Sequence, residues 1–185
     1  DDRIPFWRKV GEAVHAHDCK FIMQLSHGGR QRDVPDILYP RGQSSTAKRD
    51  PLHGFECDQM TTADIKEVAS AFAEGARRAR EAELDGVELH GANGYLITQF
   101  LSSAINDRED EYGGCLENRA RLLVEVIRAV KASAGRDFPV WCRIDSIEYR
   151  TQGGICLADA AATAVLAEAA GADAIHVSAY ANPSS

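Results

Sequence analysis

The chain lacks an apolar run approaching the roughly 20 residues that a membrane-spanning helix requires. It also lacks a positive charge excess: 21 Lys and Arg stand against 28 Asp and Glu, a net charge of −7. That balance argues against a basic footprint for nucleic acid or an anionic membrane surface. No C-x-x-C pair or Cys/His cluster has zinc-ligand spacing, so no metal is expected at Cys19, Cys57, Cys115, Cys142 or Cys156. An odd number of thiols without a charged-then-apolar leader predicts reduced cysteines in a cytoplasmic setting. There is no initiator Met, and the chain stops on Asn182-Pro183-Ser184-Ser185 directly after an apolar run, so a piece of a longer domain is expected.

What is present fits a globular chain. Of 185 residues, 44% are hydrophobic and 26% charged, which excludes disorder, a collagen-like repeat and a coiled-coil rod. Pro5 suits the first turn of a helix, after which Phe6, Val10, Ala13, Val14 and His17 recur at helical spacing. Lys20–Leu25 is short and rich in strand formers. Residues 26–60 show no sustained period, and a loop of that length could partly cover the mouth of a site. Thr61 or Thr62 caps a helix with Ile65, Val68, Ala69, Phe72, Ala76 and Ala79 on one stripe. Further strands are read at Gly86–His90, Pro139–Ile144 and Ala172–Ser178. Helices are read at Tyr95–Leu101, around Leu122–Val130 and at Leu157–Ala170.

Strands alternating with helices imply right-handed crossovers and a parallel sheet. Two architectures compete, an open doubly wound sheet and a (β/α)8 barrel. The Gly-rich dinucleotide fingerprint is absent, since Ser26-His27-Gly28-Gly29-Arg30 follows a strand but leads into a long loop. Four strands are too few to close a barrel, so the barrel reading requires further chain.

In either architecture ligands bind at the carboxyl ends of the strands. Side chains alternate across a strand, which puts Gln24, His90 and Arg143 near those ends on the face opposite a wholly apolar one. The fourth strand adds His176 and Ser178. Taken singly, each group has a structural use: Gln24 as a satisfied strand-end amide, Arg143 as the partner of Glu88. Their agreement in position favours a shared site.

Three stretches carry a family likeness. They are Gln24-Leu25-Ser26-His27-Gly28-Gly29-Arg30-Gln31; Asp85 to Leu96 continuing through Gln99-Phe100-Leu101; and Asn106-Asp107-Arg108 through Asp110, Tyr112-Gly113-Gly114 and Glu117-Asn118-Arg119. In these the sequence resembles the Old Yellow Enzyme family of FMN-dependent ene-reductases, which are (β/α)8 TIM barrels. The resemblance implies that residues 1–185 are the central part of one FMN-binding barrel domain, holding roughly its third to sixth strands. The flavin-contacting Thr or Cys of the family's first strand would precede Asp1, and the phosphate grip would follow Ser185.

By the same resemblance, Gln24 meets the pyrimidine side of FMN, and Arg143 lies by the flavin N1–C2=O edge. His90 joins them around the cofactor and, with Asn93, holds the carbonyl or nitro oxygen of an activated alkene. Tyr95 is the implied proton donor, and NAD(P)H the implied reductant of the flavin. An alkene accepts hydride only if charge developing on the activating oxygen is stabilised, an effect worth about 3–4 kcal/mol for each donor of an oxyanion site. Arg108, Asp110, Asn118 and Arg119 read as loop-fixing residues, and Arg77, Arg78 and Arg80 as a solvated helix face. Two alternatives stand beside this reading. One is a 2,4-dienoyl-CoA reductase-like relative with further domains; the other is an inert half-barrel whose open strand edges self-associate into oligomers.

Overall fold

The computed structural model describes residues 1–31 and 41–181, with side chains through Ala179. Pro5 stands in the first turn of α1 (Ile4–His15), and β1 follows at Ile22–Leu25. The loop that shows no period contains two three-residue strands, β2 (Gly42–Ser44) and β3 (Cys57–Gln59), paired parallel to each other. Residues 32–40, about a quarter of the segment read as a cover for the mouth, lie outside the described residues.

Helix α2 (Thr62–Glu81) starts where its cap chemistry dictates. The Thr61 hydroxyl accepts the Asp64 backbone N–H at 3.2 Å, while the Asp64 carboxylate accepts the Thr61 N–H at 2.7 Å. This reciprocal pair satisfies donors that a helix start leaves without intrahelical partners. Then come β4 (Gly86–Gly91), α3 (Leu96–Leu101), α4 (Leu116–Arg119), α5 (Arg121–Ala134), β5 (Val140–Tyr149), α6 (Leu157–Ala170) and β6 (Ala174–Ala181).

The main sheet runs β1-β4-β5-β6, every pair parallel. Strands adjacent in this sheet are joined by helical crossovers on one face, which is one arc of a (β/α)8 barrel. Register divides the side chains into two sets. Val87, Leu89, Val140, Cys142 and Ile144 are buried in one core with α2 and with Leu122, Leu123, Val126, Ile127 and Val130 of α5. The other set forms inward rows: Gln24, Glu88 and Trp141 align across β1, β4 and β5, and His90, Arg143 and His176 align across β4, β5 and β6. Asp145 and Ser178 make the next row.

Two local outcomes differ from the sequence pattern. Strand β5 continues past Ile144, because pairing with β6 resumes at Glu148 after a register shift. On α1, the spaced residues Phe6, Val10, Ala13, Val14 and His17 line an open apolar groove, whereas Ile4 and Trp7 pack against the core. All five cysteines are free thiols, with Cys57 and Cys142 buried. Burial pushes the Cys142 thiol up to about 12. Among the described residues, no helix is long and apolar enough to cross a membrane.

Candidate active site

The inward rows bring the predicted groups together at the carboxyl end of the arc. Strand β4 delivers His90 and then turns sharply through Asn93 and Gly94, at φ +60° and +74°. Asn is among the few non-glycine residues that adopt this left-handed conformation readily. The turn is held from β5, where the Asp145 carboxylate accepts the Asn93 backbone N–H at 2.7 Å and the Thr98 hydroxyl at 3.2 Å. Asp145 is 1% exposed, and its other oxygen has no partner among the described residues. Burial raises its pKa to about 6, against the effect of those two hydrogen bonds.

The imidazole of His90 is buried, and its Nδ1 accepts the Ala92 N–H at 3.3 Å. Burial, reinforced by the nearby Arg143 cation, lowers its pKa. A neutral ring with Nδ1 accepting carries its proton on Nε2, so Nε2–H is a donor. Tyr95 sets its ring edge-on to His90, with centroids 4.9 Å apart. The Asn93 side-chain oxygen accepts the Ser178 hydroxyl at 3.2 Å.

Lower in the arc, the Gln24 amide donates to Glu88 Oε1 at 2.6 Å, while Glu88 Oε2 meets His176 Nδ1 at 2.8 Å. Glu88 therefore belongs to Gln24 and His176, and no ion pair to Arg143 forms. Since Glu88 can only accept when ionised, the Gln24 carbonyl faces away from it and serves as an acceptor. Arg143 donates weakly to Ser178 Oγ at 3.5 Å, and its buried Nε has no hydrogen-bond partner among the described residues.

The remaining motif residues build the scaffold. Gln99, quoted in the motif without a role, accepts the Arg30 N–H at 3.1 Å and donates to the carbonyls of Gly28 and Gly94 at 3.2 and 2.8 Å. It ties the loop after β1 to the turn after β4 and so fixes the position of Tyr95. A Cβ on Gly29, at φ +64°, would overlap that amide, which explains the glycine. Arg30 is buried and donates to the carbonyls of Lys48 and Arg49. Arg108 forks onto Asp110 and reaches the Met60 carbonyl, and Arg119 holds the carbonyls of Leu101 and Gly114. These are the loop-fixing functions their charge and spacing imply. On α2, Arg77 pairs with Glu74 and Glu81, while Arg80 reaches Asp137 and the Ala134 carbonyl at the end of α5.

An arc of parallel strands with amide, imidazole and guanidinium groups converging at its carboxyl end defines a section of a TIM-barrel protein with a site at the mouth. Residues 1–183 match the NADH:flavin oxidoreductase / NADH oxidase family, and the chain belongs to that family, which includes Old Yellow Enzyme homologues. It is 42% identical over 155 residues to an NADPH dehydrogenase of Geobacillus sp., a match covering 83% of this chain and 43% of that protein. A 2-naphthoyl-CoA reductase structure superposes with a TM-score of 0.85 at 29% identity, over 97% of this chain and 29% of the other. The Old Yellow Enzyme homologue of Zymomonas mobilis superposes with a TM-score of 0.80 at 27% identity, over 96% and 52%. The chain spans 21% to 51% of the length of curated relatives it matches. The family's cofactor is FMN, and NADH or NADPH is the reductant.

Proposed function

We propose that the complete enzyme reduces the activated C=C bond of small α,β-unsaturated carbonyl or nitro compounds, using FMN and NAD(P)H. The observation that supports this reading most directly is the pairing of two fixed neutral donors. The Nε2–H of His90 and the Asn93 amide sit three residues apart on the end of β4, with Tyr95 beside them. Two such donors can hold an activating oxygen and stabilise the charge that develops on it. A positioned tyrosine, ordinarily with a pKa of about 10, can then deliver a proton to the adjacent carbon, help worth about 10²–10⁴-fold.

The residues fit the flavin. Arg143 Nε, without a partner among the described residues, and the Gln24 carbonyl, turned away from Glu88, are a donor and an acceptor on the inner face, matching the C2=O and N3–H of a flavin pyrimidine ring. When bound, reduced FMN would supply hydride to the alkene. Arg143 would offset negative charge on the ring, His90 would stand beside both cofactor and substrate, and Gln24 would set the ring's lateral position.

The test is expression of the complete reading frame, anaerobic reduction by NADPH and reoxidation by 2-cyclohexenone. His90→Ala and Asn93→Ala are expected to lower enone kcat/KM by about 10²-fold each, a far larger effect than any on flavin content. Unchanged enone turnover in both variants would overturn the assignment. Reduction of a conjugated acyl-CoA thioester is a second reading, favoured by the 0.85 superposition on a CoA-thioester reductase. A strong preference for the thioester over the free enone would select it.

A further inference from the structure

Three groups in series decide which end of the Asn93 amide faces the site. A guanidinium can only donate. Arg143 Nη2 lies 3.5 Å from Ser178 Oγ, so that oxygen is the acceptor there, and the serine hydrogen is directed to Asn93 Oδ1 at 3.2 Å. With Oδ1 engaged, the Asn93 NH2 is the part left for a ligand. Were the amide reversed, its NH2 could use the second lone pair of that hydroxyl, but the serine hydrogen would lose its acceptor and the Asn93 carbonyl would face a substrate oxygen. Across β5 and β6, Ser178 is the register partner of Asp145, which accepts the Asn93 backbone N–H. One cross-strand pair thus secures both the backbone and the side-chain orientation of Asn93.

We propose that Ser178 is a positioning residue that makes Asn93 a hydrogen-bond donor to the substrate oxygen, with Arg143 fixing the direction of the serine hydrogen. This rests on the reading of Asn93 as part of the oxygen site. It also assigns Arg143 a second duty, since the same cation that faces the flavin edge polarises the donor chain toward the substrate.

The experiment is a double-mutant cycle on the flavin-loaded enzyme from the complete reading frame, with 2-cyclohexenone as the probe. Ser178→Ala is expected to raise enone KM about tenfold, the loss of roughly one hydrogen bond, with the flavin spectrum and content unchanged. Ser178→Thr, which keeps the hydroxyl, restores the wild-type value. In the Asn93→Ala background, Ser178→Ala adds less than about twofold, because the two residues act as one unit. Additive effects, or a silent Ser178→Ala beside a damaging Asn93→Ala, would overturn the relay alone. An Asn93→Ala enzyme with wild-type KM would overturn the oxygen-site reading and the relay with it. If Ser178→Ala loses flavin, Ser178→Cys, close in size and a poor donor, takes its place and is held to the same outcomes.

Discussion

Asp145→Asn removes an ionisable oxygen from the interior while keeping the residue's shape and its acceptor for the Asn93 N–H. In the folded chain burial lifts this carboxyl from the ordinary 3.8 to about 6. Such a shift corresponds to about 3 kcal/mol, and the group is only 1% exposed, so solvent screening removes little of it. Between about pH 4 and pH 6 the folded state keeps a proton that the unfolded chain has released. Its contribution to stability is therefore full below the unfolded value and is lost as pH rises through the folded one. The assay is denaturant unfolding of wild type and Asp145→Asn at several pH values from 4 to 7.5. Taking the difference between the two cancels the titration of the other carboxylates. The variant should gain about 3 kcal/mol relative to wild type across that window and hold a constant difference above it. A difference that does not change with pH would refute the reasoning. Asp145→Ala makes the contrasting case: it shares the pH-dependent gain but strands the Asn93 N–H, so it should lie about 1–3 kcal/mol below Asp145→Asn at every pH.

Gly113→Ala would set a methyl group onto the Arg108 carbonyl, which is backbone and cannot swing aside. A loss of about 1–3 kcal/mol is expected in thermal unfolding, with Gly114→Ala failing for another reason, its φ of +80°. Thr61→Ala removes one arm of the cap on α2 and should cost about 1 kcal/mol, which Thr61→Ser largely restores in the same measurement.

The parts of the fold readable in the sequence were those that obey one simple period. Alternation along Gly86–His90 and Pro139–Ile144 placed His90 and Arg143 on the inner face correctly, and the stripe on α2 is the buried one. The extension of β5 escaped notice because Asp145, Ser146 and Glu148 break the apolar run. It exists because β6 lies alongside to pair with it. Strands β2 and β3 have almost no strand formers in Gly42-Gln43-Ser44 and Cys57-Asp58-Gln59, and only mutual pairing makes them strands. Within the site, positions were legible and partnerships were not. Glu88 reads in the sequence as the partner of Arg143, whereas its two oxygens meet the Gln24 amide and His176, the latter two strands away. Asp145 gave no signal at all, since its significance lies in a turn 52 residues earlier in the chain.

The division of each strand into an outward and an inward set also bears on how such a protein diversifies. Outward residues answer to the helices, and a change there must be accommodated by neighbours that are themselves fully buried. Inward residues answer to whatever occupies the mouth, and their placement comes from backbone pairing, which any side chain permits. Chemistry can therefore be rewritten on one side of a strand while packing is inherited on the other. A 2-naphthoyl-CoA reductase superposes on this arc at 29% identity, a degree of change that such a division accommodates.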